Sequence, residues 1–381
     1  MTEVLLLNSD KPAVLRALAR RPWLNVRVLA RPGYRDRYPA HHRFEPVADL
    51  TDLTAVRATA LRLDRERAVD RVLAATEKAI LPAGLIRSQL GLPGGGFDQA
   101  MWASHKYAMK HRLRSRGLPV TDFAQVSTVD RIPAAAERLG WPVVVKPVFG
   151  AGAAHTHRVD SAADLAARRA ELALLDTLPV PLQVERFVAV EEEYHCDAVV
   201  RAGTVRFAAV SRYFFPLLSI DRSLRGSCTL AADEPVVAAA EELLGAVVAA
   251  LDLADGVVHL ELFGTGRGLL VGEVTVRPGG AAIPRLLELA HGVDLWEEFA
   301  AAGLGEPERP VAGRRRPGVV GYVWLPAALG PAAAALPGVL ELRPEETGGR
   351  DRLAVHFAAP DRAGADALRA RLHGLRAGER R

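Results

Sequence analysis

Apolar and polar positions along this chain follow two rhythms, and the switches between them mark out its elements. Near the N-terminus the apolar runs Val4 to Asn8, Val26 to Ala30 and Val72 to Ala75 are short and unbroken, and Pro12 to Arg20 between them has a helical period. Strand, helix and strand in that order predict a parallel α/β unit. Glu77 follows the third run, where open α/β sheets place ligands, although a carboxylate there also suits the positive end of the following helix. No GxGxxG follows the first strand, so a dinucleotide site in this unit is not expected. Gly91-Leu-Pro-Gly-Gly-Gly96 reads as a linker, which bounds the unit at residues 1–97.

A second unit is expected over 98–305, in lobes 98–180 and 181–305. Asp98 opens a helix predicted to run to about Arg116, closed by Gly117-Leu118-Pro119. Trp102, Lys106, Met109 and Leu113 fall on one face of it, so Lys106 sits on an apolar stripe. A partly buried ammonium needs an anionic partner, either a carboxylate or a phosphate, unless it snorkels to the surface. The strand Val143 to Val145 ends at Lys146, and Gly150-Ala-Gly152-Ala153-Ala154 follows as a loop small enough to turn N–H groups onto a phosphate. His155 and His157 have a metal-like spacing, but no further His or Cys joins them. A strand from Leu182 to Val188 precedes the acidic run Glu191, Glu192 and Glu193. Antiparallel strands are expected over Tyr194 to Val200 and Val205 to Arg212. Between Asp233 and Leu251 a helix is predicted to bury Val236, Ala240, Leu243, Leu244, Val247 and Leu251.

The period of two is clearest in Val257 to Gly280. Two alternating runs flank Gly264-Thr265-Gly266-Arg267-Gly268, which predicts a β-hairpin with Glu261 opposite Glu273. His259, Glu261, Glu273, Thr275 and Arg277 then share one face, and Leu260, Leu262, Val274 and Val276 the other. Carboxylates paired across strands lie about 5 Å apart and repel unless a cation lies between them. Hard oxygen ligands of this kind suit Mg²⁺, which completes its shell with phosphate and water. The alternative is a solvated hairpin face. Beyond about Glu306, strands at Gly318 to Leu325, Pro337 to Leu342 and Leu353 to Phe357 and a helix from Asp361 to Leu375 predict a small α+β unit, 306–381.

Composition narrows this picture. The chain has 381 residues, of which 49% are hydrophobic, enough for a large core in several units. Its 49 basic and 45 acidic residues are spread along the sequence, which is too balanced for a nucleic-acid footprint. Two cysteines form no metal spacing or disulfide framework. With no signal-like start and no long apolar run, a cytoplasmic protein without membrane contact is the expectation. A homodimer is the default oligomer. Lysine is scarce: Lys11, Lys78, Lys106, Lys110 and Lys146 stand against 44 arginines. Each surviving lysine therefore calls for a reason.

Taken in order, Lys106, Lys146-Pro-x-x-Gly-x-Gly, Glu185-x-Phe-Val, Glu193-Tyr-His-x-Asp197, Glu261 and Glu273-x-Thr-x-Arg277-Pro-Gly-Gly resemble the ATP-grasp superfamily, nearest to its carboxylate–amine and carboxylate–thiol ligases. The resemblance spans Asp98 to Gly305. It implies an ATP-grasp fold, multidomain and mixing α/β with α+β, preceded by a Rossmann-like pre-ATP-grasp domain and followed by the small C-terminal unit. It also implies roles. Lys106 and Lys146 would bind ATP phosphates under the loop of Gly150, Gly152, Ala153 and Ala154. Glu185 and the backbone of Phe187 and Val188 would hold adenine, and Glu193 the ribose, with Glu191 and Glu192 as rivals. Glu261 and Glu273 would hold two Mg²⁺ ions, or Mn²⁺ in their place, and Arg277 would act with Lys146 on the transferring phosphoryl group. Thr275 stands where Asn is common, and as a poorer metal ligand leaves the second ion leaning on water.

The implied reaction is ATP-dependent ligation of a small-molecule carboxylate to an amine through an acyl phosphate, releasing ADP and phosphate. The alternatives are an ATP-grasp phosphotransferase or carboxylase, and a catalytically silent nucleotide-binding protein. Arg212, His195, Arg225, Gly279 and Gly280 are the candidates to face substrate.

Overall fold

The computed structural model describes residues 1–7, 11–150, 152, 154–218, 225–311, 315–344 and 351–378. Ala153 of the small-residue loop lies outside them. Strands β1 (Thr2–Leu7), β2 (Leu24–Ala30), β3 (Arg43–Pro46) and β4 (Arg71–Ala74) form a parallel sheet in the order β3-β2-β1-β4. Strands buried on both faces read as unbroken apolar runs, which is why Leu5, Leu6 and Leu7 are all fully buried. One face packs on helices Leu53–Glu66 and Glu77–Leu90, and the other on Ile283–His291 and Leu295–Leu304. The first of these helices begins at Asp52, whose carboxylate accepts from the N–H groups of Thr54 and Ala55.

Strands β5 (Phe123–Val126), β6 (Val143–Pro147), β7 (His157–Val159) and β8 (Leu182–Arg186) make an antiparallel sheet in the order β5-β8-β6-β7. Val143, Val145, Leu182 and Val184 bury against helix Ile132–Leu139. Alternation then turns Lys146, Gln183 and Glu185 to the opposite side.

The third sheet joins β9 (Glu192–Arg201), β10 (Thr204–Tyr213), β11 (Gly226–Thr229), β12 (Gly256–Thr265), β13 (Gly268–Thr275), β14 (Val319–Pro326), β15 (Val339–Pro344) and β16 (Arg352–Ala359). Among the described residues its order is β13-β12-β9-β10-β11-β14-β16-β15, with antiparallel pairs throughout. The C-terminal strands thus prolong the sheet that carries the acidic hairpin rather than forming a sheet of their own. Helix Pro235–Ala250 covers β9, β10 and β12. Its buried face is Val237, Ala240, Leu244, Val247 and Val248, a slight rotation from the expected stripe that leaves Val236 and Leu243 half-buried.

The single helix expected from Asp98 to Arg116 is two, Phe97–Trp102 and Lys106–Ser115. Gly96, not Asp98, takes the N-cap position of the first, and His105 caps the second by accepting from Ala108 N–H at 3.2 Å. The break starts the second helix at Lys106, whose own N–H bonds Val148 O at 2.8 Å beyond β6. Among the described residues no helix is long and apolar enough to cross a membrane.

Candidate active site

The hairpin β12–β13 sets the site. Glu261 and Glu273 are direct partners, as are Leu260 and Val274, and His259 and Thr275. Leu260, Leu262 and Val274 are buried beneath them, each contributing on the order of 1.5–3 kcal/mol. Past Glu261 the register slips by one, so that Leu262 pairs with Val271 and Gly272 is the extra residue. The slip lets Val271 reach the core although Glu273, two positions on, faces the cleft.

Lysines close the opposite wall. Lys106 Nζ lies 2.9 Å from Glu273 Oε1, donates to Gly150 O at 2.5 Å and sits 4.0 Å from Glu77 Oε1. Burial works against its charge, but Glu273 and Glu77 together hold its ammonium above the usual lysine range. Glu77 also accepts from Arg277 at 2.9 Å. The first sheet therefore does deliver Glu77 to the cleft, besides starting the helix Glu77–Leu90. Burial and the charge of Glu273 raise its carboxyl.

Lys146 Nζ meets Glu185 Oε1 at 2.7 Å. The other oxygen of Glu185 meets Lys110 Nζ at 3.0 Å and accepts from Thr121 at 2.9 Å, and Gln183 donates to Oε1. Glu185 is buried, yet two ammoniums hold its carboxyl well below the ordinary range. Burial brings the Lys110 ammonium down to about 8.

Lys106, Thr121, Lys146, Glu185 and Glu273 line one cavity of about 510 Å³, together with Gly150, Gly152, Ala154, Phe187, Val188, Glu193, Arg225 and Glu261. A smaller one of about 180 Å³ shares Glu261, Glu273, Gly152 and Arg225 with it and adds Glu77, His259, Thr275, Arg277 and Gly280. Ala281 and Trp324 line both that chamber and a third cavity of about 730 Å³.

Of the three adjacent acids, Glu193 alone lines the cleft. Its carboxylate accepts from Leu217 N–H at 2.7 Å, and burial beside the charge of Glu261 raises it to about 8. Glu192 is engaged by Tyr194, Arg212 and Arg362 on the other side. Val188 lines the cavity, but the N–H of Phe187 is already spent on Pro142 O at 2.9 Å.

Two expected substrate contacts are not in the cleft. Arg212 points to the C-terminal helix, where it holds both oxygens of Asp366 at 2.8 and 2.9 Å. His195 is fully buried between Asp197 at 2.6 Å and Ser227 at 3.0 Å. Strand alternation turns Arg212 to the opposite face with Tyr194, whereas His195 shares the face of Glu261 and is covered there by its neighbours, Tyr213 among them. Gly280 lines the small chamber, whereas Gly279 packs over Asp197 and His259. His157 pairs with Glu171 rather than joining a metal cluster.

Two features escaped sequence reasoning. Lys110 was visible as one of only five lysines, but its place at i+4 from Lys106 gave it no partner until the chain folded. The link from Asp197 to His259, 2.9 Å between Oδ1 and Nδ1, joins residues 62 apart and leaves no local signal.

The chamber's donors suit a divalent cation and an anionic substrate. Beside the two carboxylates, Thr275 Oγ1 and Arg277 Nε are buried with no hydrogen-bond partner. Buried polar atoms rarely stay unsatisfied, so these two point to oxygen-rich guests. Glu261, Glu273 and Thr275 offer the hard oxygens that Mg²⁺ takes, and Lys106 and Lys146 stand where phosphate oxygens would face them.

Known proteins resemble this chain in sequence and in fold. The family model for the ATP-grasp domain matches residues 111–281. An L-arginine-specific L-amino acid ligase of Bacillus subtilis is 36% identical over 341 residues, 87% of this chain and 82% of that protein. A D-alanine–D-alanine ligase of Frankia casuarinae is 30% identical over 219 residues, 53% of this chain and 56% of that one. Among solved structures, an L-amino acid ligase from Bacillus licheniformis superposes with a TM-score of 0.77 at 17% identity, covering 98% of this chain and 97% of that one.

Proposed function

Since the chain belongs to the ATP-grasp family and is an ATP-dependent carboxylate–amine ligase, we propose that it joins two amino acids, activating the carboxylate of one for attack by the amine of the other. The observation that carries this is the cleft in which Glu261 and Glu273 face Lys106 and Lys146 across one cavity. The similarity to an amino-acid ligase over most of both chains supports the choice of substrates.

Lys106 and Lys146 bind the phosphates, Gly150, Gly152 and Ala154 cover them, and Glu185 with Val188 and Phe187 meets the adenine. Glu193 receives the ribose. Its high pKa leaves a proton for a hydroxyl to accept, so it can donate as well as accept there. Glu261, Glu273 and Thr275 would hold two Mg²⁺ ions, which would supply positive charge to the phosphoryl oxygens. Arg277, steadied by Glu77, presents its unpartnered Nε edge to the carboxylate being activated. A carboxylate oxygen takes the γ-phosphoryl group, and the bond to the β-phosphate oxygen breaks to leave ADP. The amine's lone pair then forms the C–N bond, phosphate departs with the electrons of its C–O bond, and the amine's proton goes to water. The residues contribute position and charge, and none becomes covalently modified.

An ADP-release assay over amino-acid pairs tests this. Active pairs should give an amide product stoichiometric with ADP, and Glu273→Gln should lower turnover by at least about 10²-fold, the loss typical of one electrostatic group. ADP formed without an acceptor amine, with a stable phosphorylated product, would make it a phosphotransferase instead.

A further inference from the structure

Behind Glu261 runs a chain of buried polar groups that the ligase chemistry does not use directly. Ser227 Oγ meets His195 Nε2 at 3.0 Å, and His195 Nδ1 meets Asp197 Oδ2 at 2.6 Å. Asp197 Oδ1 meets His259 Nδ1 at 2.9 Å, and His259 Nε2 ends 3.6 Å from Glu261 Oε1. Register fixes the series, since β9 places Asp197 opposite His259 and His195 opposite Glu261 on β12. His195, Asp197 and Ser227 have no exposed surface, and His259 lines the small chamber.

A carboxylate can only accept, so each Asp197 oxygen requires an N–H from the imidazole beside it. Both rings therefore carry a proton on Nδ1, and the bond to Asp197 turns the Nε2 of His259 toward Glu261. The two imidazoles and the carboxylate also lie close enough to one another to suggest a metal cluster. Their contacts are of hydrogen-bond length with Asp197 between the rings, so its oxygens are already engaged. At 3.6 Å the last contact steers Glu261 without taking up its lone pairs, which stay open to a cation. The Tyr213 hydroxyl, 3.5 Å from the same oxygen, limits it from another side.

Gly279 seals the bridge. A Cβ there would lie 2.9 Å from Asp197 Oδ1 and 2.9 Å from His259 Nδ1, so any side chain would push the pair apart. Conformational freedom is not what the position demands; it is room.

We propose that Asp197 and His259 are positioning residues, an internal brace that holds Glu261 in the orientation in which it takes a divalent cation, with Gly279 as the space the brace requires. This rests on the reading that Glu261 is a metal ligand. Partners that orient a ligating group typically contribute 10- to 100-fold in metal affinity, roughly the size expected here.

The test is Mn²⁺ binding to the enzyme–ADP complex, followed by electron paramagnetic resonance, beside ADP affinity in excess chelator and a thermal melt. His259→Leu should weaken Mn²⁺ binding by at least about 10-fold and leave metal-free ADP affinity and melting temperature near wild type. His259→Gln, which keeps a polar side chain between Asp197 and Glu261, should recover part of the loss. Gly279→Ala should shift Mn²⁺ affinity in the same direction as His259→Leu. Should Asp197→Asn fail to fold, the rim pair His259→Leu and His259→Gln decides. If Glu261→Gln abolishes Mn²⁺ binding while His259→Leu does not change it, the brace is wrong and the metal site stands. If wild-type enzyme binds no Mn²⁺ with ADP, both fail. A parallel loss of metal-free ADP affinity in His259→Leu would show a general packing role and overturn the proposal.

Discussion

Glu185 is a single carboxylate asked to balance two ammoniums, that of Lys110 fully buried, and its surroundings make it measurable. Replacing Lys110 with methionine removes one partner from a fully buried pair, so Lys110→Met is expected to lower stability by about 3–5 kcal/mol in urea titrations, the usual cost of breaking such a pair. The pH dependence follows from the depressed carboxyl. In the unfolded chain a glutamate titrates near about 4.3. In the fold Glu185 titrates well below that, because burial is outweighed by Lys110 and Lys146. Its contribution is therefore complete above the unfolded value and is lost as pH falls toward the folded one, at up to about 1.4 kcal/mol per pH unit. Glu185→Gln should flatten the acid limb of the stability curve by that slope; an unchanged slope would mean the pair is not ionised. At this scale Lys106 and Lys146 were legible because lysine is rare in the chain. Arg212 was misplaced because a strand's two faces cannot be told apart without knowing what each packs against, and His195, on the face of Glu261, because distant partners cover it.

At the scale of elements, the hairpin was readable from its alternation and glycine-dense turn, and its acidic pair forms as expected. The bulge at Gly272 was not, since an inserted residue leaves the apolar pattern almost intact while reversing which side later residues face. Its space is tight: a Cβ on Gly272 would lie 2.8 Å from the Phe263 ring. Gly272→Ala should cost about 1–3 kcal/mol by overpacking, seen as a lower melting temperature, and weaken nucleotide binding by displacing Glu273. A variant that melts like wild type would show that Phe263 yields freely. The split of the expected helix at residues 103–105 has a similar origin. Nothing in Ala103-Ser104-His105 forbids a helix, and the break is stabilised by distant bonds such as Lys106 N–H to Val148 O.

For the whole molecule, the order of most strands and helices could be read from their periods, but the contacts between distant ones could not. The pair of Glu77 and Arg277 joins the end of the first sheet to the segment after the acidic hairpin, 200 residues away. Glu77→Ala should therefore reduce turnover by roughly 10²-fold through a displaced Arg277, as misplaced groups do, with little change in ADP affinity. A wild-type rate would detach the first sheet from the chemistry.

The edge of β11 that β14 covers has one more implication. Were synthesis to stop at residue 305, that edge would be left as a row of bare amides and carbonyls, inviting a neighbouring chain to dock where its own terminus belongs. Attempts to pare this enzyme to a minimal nucleotide-binding core should yield clumped material, and supplying 306–381 as a separate polypeptide should be the way to rescue it.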